Sequence, residues 1–270
     1  MARVRVLVRP LAALTAGLLL IAGCGDSGKT SADKPGGRSG SASSGPVVVA
    51  TTSWEAALAK AAGAKNVTSI VPPSIRHAPD YDLKPTDLTA VADADFVLYS
   101  PFEPFAGRIK EAAGSKAEMI ELELDNAPAK TSANVTRLGK AFGTQKAAAR
   151  WNASLTKEWD TLAQQVKATW PGGKAPAVTA QMFTTWAAKL AGARLVGTYG
   201  PEAVTAAQLS ELTAKKPQFV LDNENMSTGT VLPGSGAKQV DIANYPGKDL
   251  DLQAVYRKAA AQMEKAFSAS

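Results

Sequence analysis

Short apolar runs alternate with helical stripes through the first half of the chain. Four strands are predicted, at Val47–Thr51, Asn66–Val71, Phe96–Ser100 and Glu118–Leu124. The segments between them predict helices of about ten residues at Ser53–Ala62, from Thr86 or Asp87 to Ala94, and at Glu103–Ala113. Strands that alternate with such helices indicate βαβ units and a parallel sheet covered on both faces.

A longer amphipathic stripe interrupts this alternation. From Ser132 to Trp170 the apolar side chains recur mostly three or four positions apart and proline is absent, which predicts a helix. An unbroken helix would be about 55–60 Å long. Gly143 is a candidate interruption, and Pro171 with two glycines ends the stripe. We expect the tryptophans of the stripe to pack against two lobes rather than to stack on sugars.

The alternation resumes after the stripe. Strands are predicted at 177–181, 193–198, 218–221 and 239–242, and helices at 183–190, 203–214 and 250–267. The segments PTDLTAVADADFVLYS and TAAQLSELTAKKPQFVLDN are weak internal copies of one helix-strand unit. We therefore predict an α/β fold in which two βα lobes with mostly parallel sheets, 47–130 and 173–270, are joined by one long interdomain helix within 131–172.

The N-terminus has the pattern of a secretory signal. Arginines precede an apolar run at Leu11–Ala22 that is short for a membrane span, and the run ends in Ile-Ala-Gly-Cys24, which resembles a bacterial lipobox. Cys24 is the only cysteine, so disulfides and thiolate metal sites are excluded. We predict a signal peptide at 1–23, lipid attachment at Cys24, a Gly/Ser-rich tether over 24–46 and an extracytoplasmic, membrane-anchored location.

The positive charge gives little support for a nucleic-acid partner. The formal net charge is +6, and residues 1–46 contribute +4 of it through six Lys or Arg against two Asp. The remaining +2 forms no basic patch interleaved with aromatic residues, so we expect no nucleic-acid binding.

Polar side chains follow several predicted strands, where open parallel sheets bind ligands. His77 is the only histidine and lies in the loop Ser74–Leu88, so it is the first metal-ligand candidate. The full predicted metal set is His77, Asp80, Glu103, Gln181 and Glu224, and the further cleft candidates are Tyr81, Asp222, Asn223, Asn225 and Asn244. These residues could instead have purely structural roles: the acidic residues are common in turns and at helix starts, and Tyr81 could pack against other side chains.

Three stretches resemble the zinc/manganese family of solute-binding lipoproteins of ABC importers: VVVATTSW, IVPPSIRHAPDYDLKPTDLTAVADADFVLYS and SPFEPF. The resemblance implies a monomeric receptor that holds a metal between two lobes and delivers it to a permease driven by an ATPase. The chain departs from the family pattern in its ligands. Pro79 stands at the usual His position, the second His has no counterpart, and Gln181 and Asn244 replace two further ligands.

Three functional hypotheses follow. One His with carboxylates and amide oxygens suits Zn²⁺, Mn²⁺ or Fe²⁺, or a metal complex, as the transported ligand. Loss of the family histidines favours instead a receptor for a small organic solute. A surface lipoprotein with an adhesive or structural role is the third hypothesis. We expect no enzymatic activity, because the chain has no nucleophile elbow, phosphate loop or metalloprotease His pair.

Overall fold

Eight strands form two parallel four-stranded sheets in the computed structural model, which describes residues 45–75 and 78–269. The first sheet contains β1 (Val47–Ala50), β2 (Asn66–Ser69), β3 (Phe96–Tyr99) and β4 (Glu118–Glu121), with helices α1 (Ser53–Ala61), α2 (Pro85–Asp93) and α3 (Ala106–Ala113). Its strand order is β2-β1-β3-β4. We call this unit the first lobe.

The second lobe repeats this topology. It contains β5 (Ala177–Gln181), β6 (Arg194–Tyr199), β7 (Phe219–Asn223) and β8 (Lys238–Ile242); its helices are α6 (Thr185–Leu190), α7 (Ala206–Ala214) and α8 (Leu252–Ser268). The strand order β6-β5-β7-β8 matches that of the first sheet, and every pairing is parallel. The two weak sequence copies correspond to α2–β3 and α7–β7, which occupy equivalent places in the two sheets.

The predicted α/β fold with two lobes is confirmed, with small shifts at element ends. The helix expected to be capped by Thr86 or Asp87 instead begins at Pro85, after Lys84. Asp87 is the third residue of that helix, and its Oδ2 accepts a hydrogen bond from the Lys84 backbone N–H at 2.8 Å.

The long stripe forms two antiparallel helices. Helix α4 covers Pro128–Ala141 and α5 covers Gln145–Ala168, and the chain reverses at Gly143, whose φ of 71° is readily adopted by glycine. The Asn152 side chain of α5 donates to the Ser132 carbonyl of α4 at 3.2 Å and to Thr136 Oγ1 at 2.9 Å. The interdomain helix is thus α5, whose 24 residues span about 36 Å.

One apolar core runs from the first lobe through α5 into the second. Tyr256 of α8 lies within it at 0% exposure, and Trp159 of α5 and Trp186 of α6 pack edge-on against its ring at 5.7 and 5.3 Å. The Tyr256 hydroxyl donates to the Asn126 carbonyl at 3.0 Å and lies 3.1 Å from Thr131 Oγ1. Trp159 therefore packs against the second lobe, and Trp151 and Trp170 are partly buried against the same core.

None of the helices within 45–75 and 78–269 has the length and apolar character needed to cross a membrane.

The helical hairpin gives a stability prediction. A Cβ at Gly139 of α4 would lie 2.5 Å from Ala148 Cβ, so Gly139→Ala forces the helices apart and should lower the free energy of unfolding by about 1–3 kcal/mol. Gly107→Ala in α3 is the matched control, because open space surrounds that position; it should be neutral or raise stability by up to about 1 kcal/mol. Urea denaturation of both variants tests this, and equal effects would contradict the close packing.

Candidate functional site

A cavity of about 210 Å³ lies between the lobes at the carboxyl ends of both sheets. Each of the eight strands is followed by at least one residue that lines it. The first lobe contributes Trp54, Pro79, Phe102 and Leu124, and the second contributes Phe183, Pro201, Met226, Asn244 and Tyr245. This is where parallel α/β sheets place their ligands, because the loops leaving the strands converge there.

The cavity wall is mainly aromatic and aliphatic. Trp54 of the first lobe and Tyr245 of the second pack edge-on, with ring centroids 5.1 Å apart. Phe102 and Phe183 are 63% and 40% exposed at the rim, although exposed phenylalanines cost solvation free energy. An apolar, partly open cavity of this kind is typical of a small-molecule site.

Buried amides connect the two lobes beneath the cavity. Asn126 Nδ2 donates to the Asn244 carbonyl at 2.9 Å and to Asn244 Oδ1 at 3.1 Å, and Trp186 Nε1 donates to the same Oδ1 at 2.9 Å. Because two N–H groups point at this oxygen, the orientation of the Asn244 amide is fixed. Asn244 thus joins the lobes and also lines the cavity.

Two buried glutamates lie next to the lining residues of the first lobe. Glu55 follows Trp54 and is 0% exposed, and Glu103 follows Phe102 and is 3% exposed. Thr51 Oγ1 donates to Glu103 Oε1 at 2.9 Å, and the Ser100 backbone N–H donates to Glu103 Oε2 at 3.2 Å. Glu55 accepts hydrogen bonds from the Thr52 backbone N–H, at 3.1 Å, and from the Thr52 hydroxyl.

The two carboxyl groups are close enough for the charge on one to oppose ionisation of the other. The pKa of Glu103 is raised to about 8, mainly because the side chain is buried and secondly because Glu55 carries a negative charge. Burial also raises the pKa of Glu55. Burial raises the pKa of the Tyr245 hydroxyl to about 12, and the negative charges of Glu55 and Glu103 add to this shift. The pair therefore retains a proton at neutral pH.

The structure places the predicted metal candidates in different settings. His77 and Cys24 lie outside the described residues. Asp80 is exposed in a 3₁₀ turn at Ala78–Asp80, whereas Glu103 is buried beside Glu55.

The two metal candidates of the second lobe already have protein partners. Gln181 Oε1 accepts from the Phe183 backbone N–H at 2.7 Å, so it caps a turn. The Glu224 carboxylate binds Lys258 at 2.7 Å and Gln262 at 3.0 Å, both on α8.

Most of the other cleft candidates hold loops in place. Asp222 accepts from the Tyr199 hydroxyl at 2.6 Å, and Asn223 Oδ1 accepts from the Asn225 backbone N–H at 3.0 Å. The Tyr81 hydroxyl donates to Asp87 at 2.9 Å. Of these candidates only Asn244 is among the cavity-lining residues. Within 45–75 and 78–269, no three His, Cys, Asp or Glu side chains are grouped to hold a metal ion.

Sequence reasoning missed Glu55 and the aromatic wall. Thr52 and Glu55 have the spacing of a capping box, which the structure forms, and this local role concealed the contact with Glu103. The useful signal for the wall was positional. Trp54, Phe102 and Phe183 are large apolar residues directly after strand ends, where loops usually expose polar side chains.

Solved structures share this fold at low sequence identity. One is the laminin-binding protein Lmb of Streptococcus agalactiae, described as having adhesin and metal-transporting activity. It is 17% identical with a TM-score of 0.62, and the alignment covers 81% of this chain and 100% of Lmb. A zinc-bound ZnuA deletion mutant is 16% identical with a TM-score of 0.62, covering 83% and 99%. The periplasmic heme-binding protein BhuT, with two hemes, is 17% identical with a TM-score of 0.56, covering 82% and 99%.

No protein-family model matches the sequence, and no curated protein matches it significantly. The structural similarities establish the fold, so the architecture expected from the family resemblance is confirmed.

The glutamate pair predicts a pH dependence of stability. Between the ordinary value of 4.5 and the raised value of about 8, the folded state binds more protons than the unfolded chain, so the free energy of unfolding falls as pH rises through this range. Glu103→Gln removes this titrating group and should reduce that fall by about 2–4 kcal/mol, making the variant more stable than wild type at about pH 8.

Chemical denaturation at a series of pH values measures this effect. Glu111→Gln on the exposed face of α3 is the control and should leave the pH profile unchanged. Equal profiles for wild type and Glu103→Gln would contradict the raised pKa of Glu103.

Proposed function

We propose that this protein is an extracytoplasmic solute receptor that captures a ligand with apolar surface between its lobes. The observation that supports this is the cavity at the carboxyl ends of all eight strands, lined from both lobes by Trp54, Phe102, Phe183 and Tyr245. A ligand that contacts both walls is bound by both lobes at once, which is the geometry of capture. No chemistry on the solute is required.

An organic solute or a metal complex fits this site better than a bare divalent cation. Zn²⁺, Mn²⁺ and Fe²⁺ need several nitrogen or oxygen ligands around one point. The described cavity-lining residues include no charged side chain, and the nearby Glu55 and Glu103 carboxyls are buried and accept hydrogen bonds from Thr52 and Thr51. An organic molecule, or an organic shell around a metal, would instead bury its apolar surface against the aromatic wall.

The sequence supports the cellular setting of the proposal. A lipobox-like Cys24 and a Gly/Ser-rich tether would hold the receptor at the outer face of the cell membrane. From there it would deliver its ligand to an ABC permease driven by an ATPase, acting as a monomer. The names of the structural neighbours agree with this role, since they include a metal-transporting protein and a periplasmic heme-binding protein.

Capture would involve little movement of one lobe against the other. The core through α5 is continuous, and Tyr256 packs with Trp159 and Trp186 at the junction. A packed core resists the large dihedral changes that a loop hinge absorbs. Ligand exchange would therefore depend on the loops after the strands, where the exposed Phe102 and Phe183 lie.

Phe183→Ala should weaken ligand retention. Removing this ring from the cavity wall costs about 1–2 kcal/mol of binding, or roughly 5- to 30-fold in affinity. Leu195→Ala is the matched control, because Leu195 is 42% exposed on β6 and does not line the cavity. Native mass spectrometry of full-length protein, with elemental analysis, should find a co-purified organic molecule or metal complex that Phe183→Ala loses and Leu195→Ala keeps.

Stoichiometric metal without an organic component would contradict the proposed ligand class. Retention unaffected by Phe183→Ala would contradict the proposed site.

A further inference from the structure

The size of the cavity limits the body of the ligand. Its volume is about 210 Å³. An engineered apolar cavity of about 150 Å³ accommodates benzene, so this one has room for one or two rings, on the order of ten non-hydrogen atoms.

The arrangement of the wall favours a flat ring. Trp54 and Tyr245 meet edge-on at 5.1 Å, and Phe102 and Phe183 present further rings to the same space. Aromatic pairs gain free energy beyond the burial of their area when they adopt stacked or edge-to-face geometry.

Two hydrogen-bond donors in the cavity wall favour a ligand that carries a hydrogen-bond acceptor. Asn244 Oδ1 already accepts from Asn126 and Trp186, so the part of this amide left without a partner in the described chain is the Nδ2 donor. The Tyr245 hydroxyl also has no hydrogen-bond partner among the described residues, and its raised pKa of about 12 keeps the proton on the oxygen. Both groups lie at neighbouring positions in the cavity wall.

The charges around the cavity disfavour ionic ligands. No described lining residue carries a charge that could neutralise a carboxylate or an ammonium group. Glu55 and Glu103, beside Trp54 and Phe102, would repel an anion whenever the pair is ionised. Their hydrogen bonds to the Thr51 and Thr52 hydroxyls, and the proton that the pair retains at neutral pH, leave them poorly placed to pair with a ligand cation.

We propose that the cleft selects an uncharged aromatic molecule of one or two rings with an acceptor oxygen, such as a carbonyl, that accepts hydrogen bonds from Tyr245 and Asn244. This inference rests on the proposed receptor function and specifies the ligand class of the same cavity.

Four single-ring probes of similar size test the selection: acetophenone, ethylbenzene, benzylamine and benzoate. Titration into full-length protein by ligand-observed NMR should show that acetophenone binds most tightly, followed by ethylbenzene, with the two ions weakest. Tyr245→Phe removes only the hydroxyl, and should weaken acetophenone about 3- to 10-fold while leaving ethylbenzene within about twofold. Tyr81→Phe is the matched control, since Tyr81 bonds Asp87 and does not line the cavity.

Several outcomes would overturn the inference. These are tighter binding of either ion than of acetophenone, no preference of wild type for acetophenone over ethylbenzene, or the same preference in Tyr245→Phe. Failure of all four probes to bind also overturns it. If Phe183→Ala still abolishes retention of the co-purified solute, the receptor function stands and only the ligand class is wrong. If that variant retains the solute, the receptor function fails as well.

Discussion

The packing of Tyr256 between the lobes is the interaction on which the rest of the structure depends. Its ring contacts Trp159 of the interdomain helix and Trp186 of the second lobe, while its hydroxyl bonds the Asn126 carbonyl at the end of the first lobe. A fully buried aromatic side chain with a satisfied hydroxyl fixes both distance and orientation. The two sheets are consequently held so that their carboxyl ends face one cleft, and the amide contacts of Asn126, Asn244 and Trp186 form its floor.

The chemistry of the cleft follows from this fixed frame. Burial makes two ionised glutamates at the first-lobe side unfavourable, so the pair of Glu55 and Glu103 retains one proton instead of presenting two negative charges. The loops above them carry aromatic residues, and most of the polar residues predicted to contact a metal or another ligand have other partners. Gln181 caps a turn, Asp222 anchors Tyr199, and Glu224 forms an ion pair with Lys258. A fold that this chain shares with a metal-transporting protein is thus combined with a largely apolar cavity wall.

Much of the fold could be predicted from the sequence, because strand and helix periodicities are local. β5 was predicted at its observed limits, and the alternation around it indicated the parallel sheet. The hairpin of α4 and α5 was harder to predict, since Gly143 indicated only a possible interruption, whereas long-range contacts such as Asn152 with Ser132 reveal the reversal.

The site was less predictable, because its chemistry depends on pairs that are distant in sequence. Glu103 was identified from its place after a strand, but Glu55 is 48 positions earlier and has a sufficient local role in a capping box. The orientation of Asn244 likewise depends on Asn126 and Trp186, each on a different segment. These long-range partners decide which atoms of a polar side chain remain available to a ligand. The position of a residue in the sequence does not reveal its long-range partners.

The cavity draws its lining from the segments that follow eight separate strands, and Phe102, Phe183 and Met226 among the lining residues are not part of the apolar core beneath. Side chains at these positions can therefore be exchanged while the scaffold stays intact. Such an arrangement lets a lineage alter the shape and polarity of the cleft by small independent steps, without passing through unfolded intermediates.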